Sequence, residues 1–210
     1  PKRWRVLISA LGSLEGVLFD LDGTLADSRL DFSAMCVEAN LPVGTPLLEY
    51  LTALGDCEES RNLRSIIERH EMTGAERATW IDGAEALVHQ LFDAGVPMAI
   101  VTRNMRSAAE HTVAKLDIPV SLLVTREDCL PKPDPEGLLM VAERWDIPVA
   151  ALAYVGDYKY DMLAATNAGM LGVLLQNGRN AEFANLAGVA ITKFDELLPY
   201  LSPAISVAND

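Results

Sequence analysis

The sequence predicts an α/β fold: a parallel sheet covered by helices on both faces, with a small helical segment inserted after the first strand. Three observations carry that prediction. Short apolar strand-like runs alternate with helical segments from Ile81 onward, the stretch from Leu25 to about Trp80 is helical, and an isolated apolar run, Val17-Leu18-Phe19, precedes both. Unbroken apolar strands with helices between them are the mark of crossover units in a sheet buried on both faces.

The first strand ends abruptly in Asp20-Leu21-Asp22-Gly23-Thr24-Leu25. The helical stretch that follows is punctuated by Leu41-Pro42-Val43-Gly44-Thr45-Pro46 and by Leu54-Gly55-Asp56, which leaves about three helices. Helix Ala84 to Ala94 then leads to strand Met98 to Thr102, and helix Ser107 to Leu116 to strand Ser121 to Thr125. Helix Pro135 to Trp145 precedes strand Ala153 to Asp157, and helix Met162 to Ala168 precedes strand Gly172 to Leu175. A short strand, Val189 to Thr192, and a helix, Phe194 to Tyr200, close the pattern. The expected organisation is an α/β core over 14–28 and 80–201, a helical cap over 29–79 and an N-terminal extension over 1–13. In that extension Lys2-Arg3-Trp4-Arg5 before an apolar stretch faintly resembles a signal peptide. It lacks a convincing small-residue cleavage site and runs straight into the Asp20 strand.

With 210 residues, half of them hydrophobic and 22% charged, the chain can bury a sizeable core. A net charge of −13 repels polyanions, so neither nucleic acid nor an anionic membrane is an expected partner. An anionic substrate must be drawn in locally. Cys36, Cys57 and Cys129 are odd in number and lack CxxC spacing, which suggests neither a disulfide framework nor a zinc site and fits a cytoplasmic location. No apolar run reaches the roughly 18 residues of a membrane span.

The polar residues that terminate the strands carry the chemistry. Asp20 and Asp22 end the first strand, Thr102-Arg103-Asn104 the next, and Gly156-Asp157 a later one, with Asp161 close behind; Lys132 sits in a Pro131-Lys132-Pro133-Asp134-Pro135 loop. In a parallel sheet these all fall on the carboxyl-end rim, where ligands bind. Close carboxylates repel and need a cation, a shared proton or ample solvent; as a ligand set, hard oxygens suit Mg2+ rather than a soft metal. Thr102 and Lys132, with backbone N–H groups near Arg103, could hold phosphate oxygens.

In their order and spacing, Asp20-Leu21-Asp22-Gly23-Thr24-Leu25, Thr102, Lys132 within Lys-Pro-Asp-Pro, and Gly156-Asp157-Tyr158-Lys159-Tyr160-Asp161 resemble the four motifs of the haloacid dehalogenase superfamily, specifically its capped phosphatases of the phosphoglycolate phosphatase and β-phosphoglucomutase branch. The resemblance spans roughly Leu14 to Gln176 and implies a Rossmann-like core of the haloacid dehalogenase type. It further implies that Asp20 attacks phosphorus to form an aspartyl-phosphate, and that Asp22 acts as acid and then base. Mg2+ would be held by Asp20, the Asp22 carbonyl and Asp157; Thr102, Arg103 and Lys132 would bind phosphate; Asp161, Gly23 and Thr24 would support the site. Tyr158 departs from the pattern, since relatives often carry a small or polar residue after the motif aspartate, and it could narrow the pocket.

The expected activity is Mg2+-dependent hydrolysis of a small phosphorylated metabolite, phosphoglycolate-like, by a monomer or homodimer. Asp22 and Asp157 argue against the metal-free dehalogenases, and a cap without lysine argues against the phosphonate-cleaving branch. A sugar phosphomutase and a non-catalytic phosphate-binding module are the alternatives. Of the cap arginines, Arg29 is the candidate for substrate specificity, whereas Arg61 and Arg64 are expected on a solvated face beside Glu58, Glu59 and Glu68.

Overall fold

The computed structural model describes residues 14–201. The extension assigned to 1–13, with its basic start, lies outside the described residues. Six parallel strands form the main sheet: β1 (Gly16–Phe19), β4 (Met98–Val101), β5 (Leu122–Val124), β6 (Leu152–Gly156), β7 (Leu171–Leu175) and β8 (Val189–Ile191), in the order β5-β4-β1-β6-β7-β8. In the middle of the sheet, β1 sets Phe19 beside Ile100 of β4 on one side and beside Val155 of β6 on the other. Every residue of β1, β4, β6 and β7 is buried, because helices cover both faces. One apolar cluster lies between the sheet and α4 (Ala84–Asp93), through Leu87, Val88 and Leu91 against Val17 and Phe19. The opposite face packs Leu18 and Tyr154 against Leu138 and Val141 of α6 (Glu136–Trp145) and Ala164 and Ala165 of α7 (Lys159–Ala168).

Between β1 and β4 the chain leaves and re-enters the core through a small antiparallel ribbon, β2 (Ala26–Asp27) with β3 (Thr79–Trp80). Two residues per strand are too few to leave a periodicity in the sequence, and this ribbon is absent from the expected pattern. The three helices beyond it are α1 (Phe32–Glu38), α2 (Leu47–Leu54) and α3 (Glu58–Arg77). They close on an apolar cluster of their own, with Met35, Cys36, Leu47, Leu63, Ile66 and Ile67 buried. Glu38 ties α1 to α3 by accepting from Arg69 and facing His70 at 2.8 Å. The long α3 also lies against core helix α5 (Arg106–Lys115), where Ala75, Met105 and Ala108 are buried together. The closing helix differs from expectation: Phe194–Tyr200 is a 3-10 helix, with Pro199 inside it. Proline lacks the N–H that an α-helical ladder needs and its ring crowds the preceding turn.

Candidate active site

The carboxyl ends of β1, β4 and β6 converge because β1 pairs with both neighbours in parallel, so residues one step beyond each strand lie side by side. Asp20 follows β1, Thr102 follows β4 and Asp157 follows β6. Lys132 enters from the loop between β5 and α6 and lies buried, 5% exposed, 2.7 Å from Oδ1 of Asp20 and 2.6 Å from Oδ1 of Asp161. Its ammonium also faces the Tyr154 hydroxyl at 2.6 Å and the Val101 carbonyl at 3.2 Å. Burial alone would discharge this lysine, but the Asp161 and Asp20 carboxylates outweigh it and hold its pKa above the ordinary value.

The carboxylates feel the opposite balance. Burial pushes Asp20 up to about 8, with Lys132 pulling down and Asp161 and Asp157 pushing further up. Asp157 rises to about 7, again chiefly through burial and then through Asp161. Oxygens of Asp20, Asp157 and Asp161 lie within 4.8 Å of one another. That donor set fits a hard divalent cation: three oxygen donors converge, and ionising them together is costly until positive charge is added. Asp20 and Asp157 of this triple are two of the ligands expected from the sequence, where the third was the Asp22 backbone carbonyl and Asp161 was a supporting residue. Asp161 reaches the cluster from the first turn of α7, where its Oδ2 accepts from the Tyr158 N–H at 2.9 Å.

The Asp22 side chain is held apart. Its Oδ1 accepts from the Ser28 hydroxyl at 2.5 Å and its Oδ2 from the Asn104 amide at 2.8 Å. Burial raises its pKa, while both hydrogen bonds act to lower it. Two glycines make these approaches feasible. A Cβ on Gly23, which has φ +84°, would come within 2.6 Å of Asp157 Oδ2, and one on Gly156 within 2.4 Å of the Asp161 carboxyl.

The other residues singled out in the sequence divide. Thr102 is buried at the rim and its Oγ1 accepts from the Asn104 N–H at 3.1 Å. Thr24 is buried in the turn after Asp22, and its hydroxyl has no partner among the described residues. Arg103 lines the cavity, yet its guanidinium is committed to Glu49 of α2 at 2.6 Å and stacks over Tyr160 at 4.6 Å. Arg29 stands at the cavity edge, 3.7 Å from Asp27 and largely exposed. Arg61 pairs with Asp56 on the outer surface, and Arg64 is exposed; neither lines the cavity. The glutamates expected beside Arg61 thus give way to Asp56.

Several residues escaped the sequence reading. Tyr154 donates to the Val101 carbonyl at 2.7 Å and braces Lys132 and Asp161 from below. A tyrosine in the middle of a fully buried strand needs a partner for its hydroxyl, and that was the available signal. Asn180 donates to the backbone carbonyl of Asp157 at 2.7 Å, and Asn177 to its Oδ2 at 3.2 Å. Glu71 of α3 pairs with Arg126 at 2.5 Å and accepts from the Met105 N–H at 3.4 Å; Arg126 also donates to the Arg103 carbonyl. No spacing rule joins such pairs across 55 residues.

A cavity of about 850 Å³ opens over these groups, walled by the strand ends on one side and by α1, α2 and the 41–46 loop on the other. Residues 17–174 match the model of the haloacid dehalogenase-like hydrolases, and the chain belongs to that family. It is therefore an enzyme of the hydrolase class. A phosphoglycolate phosphatase of Xanthomonas campestris is 30% identical over 178 residues, covering 75% of this chain and 80% of the relative. The validoxylamine A 7'-phosphate phosphatase of Streptomyces hygroscopicus is 28% identical over 208 residues, covering 89% and 98%. Among solved structures, a hydrolase from Pseudomonas syringae superposes with a TM-score of 0.73 at 25% identity, covering 89% of this chain and 97% of its own. Among the described residues no helix is long and apolar enough to cross a membrane.

Proposed function

We propose that the chain is a Mg2+-dependent phosphatase that hydrolyses an organic phosphate monoester through an aspartyl-phosphate on Asp20. The observation that carries this reading is the buried Lys132 bonded to both Asp20 and Asp161, with Asp157 alongside, at the floor of one cavity. Relatives named as phosphatases support it.

Lys132 engages Oδ1 of Asp20, which leaves Oδ2 as the attacking oxygen. In the first displacement a bond forms from that oxygen to phosphorus, the ester P–O bond breaks, and Asp22 gives a proton to the departing alkoxide. In the second, a water attacks phosphorus as Asp22 takes its proton, and the bond to Asp20 breaks. Burial, which raises the Asp22 pKa, favours the proton-carrying form that the first step needs. Thr102 and Lys132 would bind phosphoryl oxygens, and the Arg103 backbone rather than its committed guanidinium would join them. Asp20, Asp157 and Asp161, together with the Asp22 carbonyl, are the candidates to hold Mg2+, which would neutralise charge on the phosphoryl group. Residues 29–79 would act as a cap that screens the site from water.

The test is a screen of phosphorylated metabolites for inorganic phosphate release, with and without Mg2+. Phosphate release restored by Mg2+ after EDTA treatment is the expected result. Activity that persists in chelator would remove the metal from the account, and isomer formation without phosphate would point to a mutase.

A further inference from the structure

The outer part of the cavity presents side chains that the proposed chemistry leaves unused. Phe32 is 62% exposed, Val43 64% and Tyr158 45%, and all three line this one cavity, the first two from the cap and the third from the core. Water contact at large apolar groups is unfavourable, and a cluster of them around a binding cavity marks where a ligand's own apolar surface goes. Leu30, Met35 and Leu47 continue the apolar wall inward.

Tyr158 is exposed but not loose. Its ring meets Tyr160 edge to face at 5.3 Å and Phe183 at 5.2 Å. A braced aromatic loses little freedom when something packs on it, so its contact area converts efficiently into binding. Tyr158 follows Asp157 directly, which puts this surface next to the chemistry.

The cavity is large with the cap already fastened. Arg103 pairs with Glu49, Arg126 with Glu71, and Lys115 Nζ donates to the Glu76 carbonyl at 2.6 Å, three ties between core and cap. Its volume of about 850 Å³ is near the upper end of the roughly 300–1,000 Å³ of pockets that hold drug-sized ligands. A phosphoryl group on a two-carbon acid would leave the outer apolar wall in water.

Resting on the phosphatase reading, we propose that the substrate is a phosphomonoester whose alcohol carries a bulky body with an apolar face, seated against Tyr158 of the core and Phe32 and Val43 of the cap. Tyr158 and Phe32 are then specificity residues. The phosphoryl end is gripped by polar groups on the core, and the alcohol end is selected by apolar contact.

Three esters separate this from the alternatives: 2-phenylethyl phosphate, ethyl phosphate and 2-phosphoglycolate. The first two have leaving alcohols of similar reactivity, so their difference reads contact with the ring. One extra methylene in an apolar pocket already discriminates by about 10-fold or more, so kcat/KM for the phenylethyl ester should exceed that for the ethyl ester at least about tenfold. It should also exceed that for phosphoglycolate. In Tyr158→Ala, and separately in Phe32→Ala on the exposed cap surface, the phenylethyl-to-ethyl ratio should fall toward one, mainly through KM. Equal use of the two alkyl esters, preference for phosphoglycolate, or a ratio unchanged in both variants would overturn the inference while leaving the phosphatase reading intact. Hydrolysis of none of the three, nor of any ester in the wider screen, would overturn that reading and this inference with it.

Discussion

The two walls of the cavity are built on opposite principles. On the core wall the polar groups at the strand ends are buried or half-buried and matched: Lys132 to Asp20 and Asp161, Asp22 to Ser28 and Asn104, Asp157 to Asn177. On the cap wall large apolar side chains stand partly wet, as at Phe32 and Val43. Low dielectric makes a matched polar network rigid and an unmatched one expensive, so the core wall has little freedom to vary. An apolar wall can change shape at small cost. The contrast suggests fixed chemistry on the sheet and adjustable selection on the inserted helices.

Breaking the core wall should do the most harm. Asp20→Asn keeps the side-chain volume but removes the proposed nucleophile, so phosphate release should fall by at least about 10³-fold with the fold retained by circular dichroism. Near-normal release from that variant would sink the mechanism. Lys132→Met should come next, since it strands Asp20 and Asp161 without their shared cation. Removing one member of a buried charge network costs roughly 3–5 kcal/mol, and chemical denaturation should show a loss of that order along with the loss of activity.

At the junction of the two walls, Glu71→Gln leaves Arg126 without its buried carboxylate. Glu71 is pushed above its ordinary pKa by burial, against the pull of Arg126, so the pair is only partly compensated. A destabilisation of roughly 1–3 kcal/mol, measured by denaturant midpoint, is the expected outcome. A change confined to activity would mean that the pair does not fasten cap to core.

The acidic cluster should couple metal affinity to pH. Asp20 and Asp157 have folded-state values of about 8 and about 7, raised from 3.8, so the native state binds protons that the unfolded state releases. The stability this contributes is present at low pH and is lost as pH rises through 7 and 8. Mg2+ competes with those protons. Its effect on Tm in thermal unfolding should therefore be larger at pH 8.5 than at pH 6, and equal shifts at both would contradict the assignment of these carboxylates as ligands. The smallest effect belongs to the outer face of the cap: Arg61→Ala breaks only an exposed pair with Asp56 and should change stability by less than about 0.5 kcal/mol, with KM unmoved.

Much of the core wall was legible in the chain because its residues terminate strands. Val17-Leu18-Phe19 announces a buried strand, and an aspartate straight after it has to lie at the rim. The same logic located Thr102 and Asp157, and the proline-framed Lys132 loop had only one end of the sheet to reach. What stayed hidden depends on contacts with no local rhythm. The Glu71–Arg126 pair joins a cap helix to a core loop, and Asn104 meets Asp22 across 82 residues. Arg103 was legible as a rim residue, but its guanidinium turned to Glu49 and Tyr160, neighbours that only the folded cap supplies. The β2–β3 ribbon was too short to leave a pattern, and Pro199 tightened the last helix into a 3-10 turn.

Acid-quenching the enzyme during turnover and locating covalent phosphate by peptide mass spectrometry tests the central claim most directly. One phosphoryl group on Asp20, absent from the Asp20→Asn protein, is the predicted result. Steady phosphate release with no acyl-phosphate on that peptide under rapid quench would contradict it.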